Sequence, residues 1–194
     1  MSARAGVFMD RDGTLSAEVG YVTALDQFRL LPGAARAVRA LNEASIPAIL
    51  VTNQSGIARG LFDEALLDEV HALMERLLRD EGARLDGIYV CPHHPEMGEP
   101  PWRRACDCRK PEPGLILRAA SRHGVDPARS YVVGDSARDL EAGVRAGCRP
   151  VLVLTGYGRD ELRTRIDPSG LVPAFVGEDL LDAVRWILAE ETSS

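Results

Sequence analysis

The chain has 194 residues, enough for one domain of ordinary size with one substantial core. It is 45% hydrophobic and 27% charged with a formal net charge of −6, a globular composition with no block of Lys and Arg to grip a nucleic acid backbone. Its longest apolar runs are strand-sized, so no transmembrane span or leader is expected, and the setting expected is cytoplasmic.

A first strand is expected over Ala5–Met9, ending in Asp10-Arg11-Asp12-Gly13-Thr14. Leu15–Leu31 follows as a polar, mixed stretch containing Gly20 and Tyr21. Gly33–Ala44 repeats Ala and Leu at helical spacing after Pro32. A strand at Ile46–Val51 ends in Thr52-Asn53-Gln54-Ser55-Gly56, and Asp63 is placed to cap a helix running to Asp80. A strand over Gly87–Val90 leads into Cys91–Pro113, where six prolines, two His and three Cys rule out a regular element. A helix at Gly114–His123 and a strand at Tyr131–Val133 come next, the strand ending in Gly134-Asp135. Ser136-x-x-Asp139 reads as the capping box of a helix over Ala137–Ala146. Strands at Val151–Leu154 and Ala174–Val176 and a helix at Glu178–Glu190 complete the pattern. Such alternation predicts one α/β domain over residues 1–194, with a doubly wound, mainly parallel sheet of Rossmannoid type.

In such sheets ligands bind beyond the carboxyl ends of the strands. Three of the expected strands deliver Asp10 and Asp12, Thr52, and Asp135 to one edge, which suits phosphoryl transfer. Asp10, Asp12 and Asp135 would repel one another without a hard divalent cation such as Mg²⁺. Asp10 is the expected nucleophile, its carboxylate attacking phosphorus to form an aspartyl-phosphate. Asp12 is the expected acid and base. Lys110 and the Thr52 hydroxyl would balance charge on the phosphoryl group. An EF-hand calcium loop starting at Asp10 fails, because its sixth position would be Leu15 and its twelfth Tyr21.

Lys110 stands out for a second reason. Of 23 basic residues it is the one Lys. Where a generic positive charge suffices this chain uses Arg, so a surviving Lys marks a site that needs a compact ammonium on a flexible stem.

The four segments Asp10-Arg11-Asp12-Gly13-Thr14, Thr52-Asn53-Gln54-Ser55-Gly56, Arg109-Lys110-Pro111 and Gly134-Asp135 with Asp139 resemble, in order and spacing, the four motifs of haloacid dehalogenase superfamily phosphatases. Within that superfamily the chain is most similar to the heptose bisphosphate phosphatases and their histidinol-phosphate phosphatase relatives. The residues carrying this are Gly20-Tyr21, Val51–Gly60, the run from Asp86 to Pro95 and Cys106-x-Cys108-Arg109-Lys110-Pro111. The resemblance implies a Mg²⁺-dependent phosphatase for a small sugar phosphate, with Asp10, Asp12 and Asp135 on the metal and Thr52 and Lys110 on the phosphoryl group. One position departs: some heptose bisphosphate phosphatases have a Lys after the fourth-motif Asp, where this chain has Ser136. Gly60–Asp107 leaves no room for a large cap domain, so substrate selection falls to the site's own loops, with Gly20, Tyr21, Asn53, Gln54, Ser55 and Arg109 as the expected contacts.

Cys91-x-His93 and Cys106-x-Cys108 supply three thiolates and an imidazole, the donor set of a closed, structural Zn²⁺ site clamping the loop over about residues 91–108. Disulfides are not expected in a cytoplasmic protein, and Cys148 reads as a small buried apolar residue. His71 and His123 read as packing or surface residues without partners. The alternatives to the phosphatase of a sugar bisphosphate are a histidinol-phosphate phosphatase, a polynucleotide 3′-phosphatase, which the acidic charge disfavours, and a non-catalytic zinc-clamped binding module. Nucleic acid and membrane partners are not expected, and the protein is expected to be a monomer.

Overall fold

A computed structural model of the chain describes residues 4–193. Its centre is a six-stranded sheet with strand order β3-β2-β1-β4-β5-β6, all neighbours parallel. The strands are β1 (Val7–Met9), β2 (Ala48–Asn53), β3 (Gly87–Cys91), β4 (Tyr131–Gly134), β5 (Arg149–Val153) and β6 (Phe175–Gly177). Between them lie α1 (Ala34–Glu43), α2 (Glu64–Asp80), α3 (Gly114–His123) and α4 (Ala137–Ala146). After β5 come α5 (Gly158–Glu161), a π-helical turn (Leu162–Ile166) and α6 (Asp167–Ser169), and after β6 comes α7 (Leu180–Thr192). The doubly wound parallel sheet is the expected fold, with strand boundaries moved by at most two residues.

The strands are apolar throughout because both faces of the sheet are covered. Val7, Met9, Leu50 and Val133 point to one side, where Val38 and Leu41 of α1, Met74 and Leu78 of α2, and Val184 and Ile187 of α7 complete a core. Phe8, Ile49, Val51 and Val132 alternate to the other side, against Ile116 and Ala119 of α3 and Ala142 of α4. Cys148 is buried in this second core, as its apolar reading implied. Asp63 caps α2 by accepting from the Leu66 N–H at 2.9 Å. No helix among the described residues is long and apolar enough to cross a membrane.

The order reverses between β1 and β4, which leave side by side in opposite winding directions. The crevice beyond their carboxyl ends is where such a sheet binds ligands. Asp10 follows β1 directly and Asp135 follows β4, so the topology alone sets these two carboxylates against each other.

Candidate active site

A cavity of about 230 Å³ opens at this switch point, lined by Asp10, Asp12, Ser55, Lys110 and Asp135 among others. Lys110 is 3% exposed. Its ammonium has three N–H groups and three partners: it donates to the Val51 carbonyl at 2.9 Å and forms ion pairs with Asp10 at 2.9 Å and Asp139 at 2.7 Å. Burial works to lower its pKa, but the Asp10 and Asp139 charges outweigh that and leave it at about 12. Asn53 fixes the backbone of the same residue, its amide donating to the Lys110 carbonyl and accepting from the Lys110 N–H, both at 3.1 Å.

One ammonium does not satisfy the surrounding acids. Asp10, Asp135 and Asp139 place carboxylate oxygens within 4.8 Å of one another. Burial, then Asp139 and Asp10, push Asp135 up to about 8. Burial also raises Asp10 to about 6, with Lys110 opposing and Asp139 and Asp12 adding to it. Asp10 and Asp135 resist losing their protons because they are buried beside other carboxylates, and a hard divalent cation is the group that fits such an oxygen cluster. The backbone makes room for the Asp135 carboxylate. Gly13, at φ +80°, and Gly156, at φ +53°, both face the Asp135 carboxylate so closely that a Cβ at either position would overlap it. The Tyr157 N–H donates to Asp135 Oδ2 at 2.8 Å, and the Thr155 hydroxyl ties down the Gly13 carbonyl at 2.6 Å.

Asp139 serves twice. Its Oδ2 accepts from the Ser136 N–H at 3.1 Å and hydroxyl at 2.5 Å, the expected capping box, while its Oδ1 pairs with Lys110. The capping box was visible in the sequence; its use as a lysine counterion was not. The loop after β5, with Thr155, Gly156 and Tyr157, was also missed as a part of the site. Its signal was topological, since β5 ends at the same edge as β1 and β4.

The Asp12 side chain points elsewhere than the acid cluster. Arg11 Nε donates to Asp12 Oδ1 at 3.0 Å and Arg11 Nη2 to Oδ2 at 2.9 Å, while the Gln54 amide donates to Oδ2 at 2.8 Å. Arg11 is 1% exposed and reaches the His71 ring at 3.5 Å. Burial and the Arg11 charge lower the His71 pKa to about 4, so the ring adds no second positive charge. His71 therefore has a partner, contrary to the expectation from sequence, and so does His123, whose ring meets the Tyr89 hydroxyl at 3.1 Å.

Of the expected substrate contacts, Gly20, Tyr21, Asn53, Ser55 and Arg109 line the cavity. Thr52 and Gln54 do not; both are buried, and the Gln54 amide donates to the Thr52 hydroxyl oxygen at 2.9 Å. Glu18, Ser136, Arg138 and Tyr157 complete the lining and were not singled out as contacts.

Beside the cavity, the Cys91, Cys106 and Cys108 sulfurs and His93 Nδ1 lie within 4.8 Å of one another. The sulfur to sulfur distances are 3.1 to 3.6 Å, too long for a disulfide, and Nδ1 is 3.3 Å from Cys108. Four soft donors around one point, three of them buried, fit a closed tetrahedral metal site. The loop reaches the cavity through Arg109, whose Nη1 donates to the His93 carbonyl at 3.1 Å.

A parallel sheet of this order with facing Asp residues and a buried Lys at its switch point defines a hydrolase of the haloacid dehalogenase class, and comparison with known proteins agrees. A family model described as HAD-hydrolase-like matches residues 107–183. The D-glycero-beta-D-manno-heptose-1,7-bisphosphate 7-phosphatase of Escherichia coli K12 is 45% identical over 77% of this chain and 79% of its own length. That of Bordetella bronchiseptica is 42% identical over 95% of this chain and 98% of its own. The crystal structure of the B. bronchiseptica D,D-heptose 1,7-bisphosphate phosphatase, complexed with magnesium and phosphate, superposes with a TM-score of 0.85 at 40% identity, covering 96% of this chain and 99% of that one. The chain belongs to the haloacid dehalogenase superfamily, within the heptose bisphosphate phosphatase family, and is a phosphatase.

Proposed function

We propose that this chain removes the 7-phosphate of D-glycero-D-manno-heptose 1,7-bisphosphate through an aspartyl-phosphate on Asp10. The observation that carries the reading is the buried Lys110 ammonium bridging Asp10 and Asp139, with the Asp135 carboxylate beside them, at a cavity of about 230 Å³. In the first half-reaction an Asp10 carboxylate oxygen bonds to phosphorus as the ester P–O bond breaks, and the leaving oxygen takes a proton from Asp12. In the second, Asp12 takes a proton from water as the water oxygen attacks phosphorus, and Asp10 is released with inorganic phosphate. Lys110 holds Asp10 in place and sets a positive charge beside the transferring group. Asp10 and Asp135 are the side chains that would hold Mg²⁺, which when bound neutralises charge on the phosphoryl oxygens. Arg109 and Arg138 line the same cavity and supply positive charge for a second phosphate, a task that Ser136 cannot perform.

The test is hydrolysis of a panel comprising the heptose bisphosphate, histidinol phosphate and fructose 1,6-bisphosphate. Fastest turnover of the heptose bisphosphate, with the heptose 1-phosphate as product, is expected. Preference for histidinol phosphate would overturn the substrate assignment.

Magnesium should also stabilise the protein. At 100 times its Kd a ligand specific for the native state adds about 2.7 kcal/mol, or roughly 5 to 10 °C in Tm for a domain of this size. A melting curve unmoved by millimolar Mg²⁺ would count against the carboxylate cluster as its site.

The Cys91, His93, Cys106 and Cys108 cluster is proposed to hold one structural Zn²⁺, with no open position for substrate. Cys106→Ser is expected to lose the metal and lower Tm by on the order of 10 °C, because zinc binding in such a site is folding free energy. Asn53 holds the Lys110 backbone independently of the loop, so KM should rise through Arg109 before kcat falls. Metal analysis that finds no zinc in the active native protein would refute this.

A further inference from the structure

The residues around Asp12 do more than fill space. Asp12 accepts four hydrogen bonds: from Arg11 Nε at 3.0 Å and Ser16 Oγ at 3.4 Å on Oδ1, and from Arg11 Nη2 at 2.9 Å and Gln54 Nε2 at 2.8 Å on Oδ2. Gln54 sits at the centre of this arrangement, and its amide has one allowed orientation. Its oxygen must face Arg11 Nη2, a donor 2.9 Å away, and its NH₂ must face the Asp12 carboxylate, which can only accept. The second amide hydrogen then falls on the Thr52 oxygen at 2.9 Å. Arg11 thus sets the amide, and the amide and the guanidinium together set the plane of the Asp12 carboxylate. Neither Arg11 nor Gln54 lines the cavity, while Asp12 does.

We propose that Gln54, oriented by Arg11, is a positioning residue for proton transfer by Asp12, acting on the leaving oxygen without touching substrate. The inference rests on the acid and base role given to Asp12 above. Bidentate pairing with a planar guanidinium holds a carboxylate in one plane, which an ammonium cannot do. Asp12 lines the cavity in that fixed plane. Without Gln54 the carboxylate keeps its counterion, but the Arg11 fork loses the amide oxygen that anchors Nη2 and Oδ2 loses a donor, so the guanidinium and carboxylate can shift together.

Leaving-group dependence separates this role from a merely structural one. An alkyl phosphate such as the heptose ester needs a proton on its departing oxygen, whereas p-nitrophenyl phosphate loses a stable phenolate and needs little help. Gln54→Met, close in volume but without hydrogen bonds, is expected to lower kcat/KM on the alkyl phosphate at least tenfold, since that constant reports the steps through aspartyl-phosphate formation and excludes the water attack common to both substrates. On p-nitrophenyl phosphate the loss should be clearly smaller. Arg11→Lys, which keeps the charge and removes the fork, should give the same asymmetry and serves if Gln54→Met does not fold. Asp12→Asn is measured beside them and should show the asymmetry most strongly, on the order of 100-fold or more on the alkyl ester. Equal losses on both substrates for Gln54→Met and Arg11→Lys, with the asymmetry intact in Asp12→Asn, would overturn the positioning role alone. Absence of the asymmetry in Asp12→Asn would remove the acid and base assignment and this inference with it.

Discussion

Asp10→Asn is expected to abolish phosphate release while leaving the protein folded. An amide oxygen does not attack phosphorus, so the covalent route closes completely, and losses on the order of 10⁶ in kcat accompany removal of a nucleophile from a covalent mechanism. Folding should survive for a reason visible in the site. The ordinary cost of losing a buried charge is offset here, because the Asp10 carboxylate is already disfavoured by burial and by Asp139 and Asp12. Asparagine keeps an oxygen for the Lys110 ammonium, 2.9 Å from the present carboxylate, and relieves repulsion with Asp135. Circular dichroism and melting should therefore match the native protein to within a few degrees. Phosphate release above background by the purified, folded variant would remove Asp10 from the nucleophile's role.

The parts of this site that were legible in the sequence are those a parallel sheet makes legible. A strand covered on both faces reads as an apolar run, and the first polar residues after it fall at the ligand edge; Asp10 and Asp135 were found this way, whereas Thr52, expected beside them, does not line the cavity. What strand ends do not reveal is which side of the chain each following residue presents. Thr52, Asn53, Gln54 and Ser55 read as one polar group, yet Asn53 and Ser55 line the cavity, whereas Thr52 and Gln54, hydrogen-bonded to each other, are buried and do not line it. Arg11 was hidden for a compositional reason. In a chain whose cations are almost all Arg, one more gives no sign that it is fully buried, and its partners Gln54 and His71 are 43 and 60 residues away. Asp139 was seen as a cap because capping is local, and its pairing with Lys110 across the sheet edge is not.

Lys110→Arg is expected to cost both turnover and stability although it preserves charge. The ammonium sits 3% exposed among the Val51 carbonyl, Asp10 and Asp139, all between 2.7 and 2.9 Å from Nζ. Three acceptors converge on one atom, which matches an ammonium with three N–H groups and does not match a planar fork whose donors diverge. A guanidinium needs added volume in a packed site and can serve at most part of this set, so one carboxylate is left buried with a weaker counterion. Removing one partner of a buried ion pair costs about 3 to 5 kcal/mol, and overpacking costs about 1 to 3 kcal/mol, which bracket the loss expected for Lys110→Met and Lys110→Arg respectively. The effect on kcat is expected to exceed the effect on stability, since displacing Asp10 by a fraction of an ångström misaligns the attacking oxygen, and misplacement of about 1 Å can cost 100-fold. The comparison to make is kcat for Lys110→Arg beside Arg138→Lys, a charge-preserving exchange at an exposed cavity residue. Lys110→Arg should lose at least about 100-fold in kcat while Arg138→Lys changes chiefly KM. Near-native turnover in Lys110→Arg would show that the site needs only a positive charge there, and the inference drawn from the one lysine of the chain would fail.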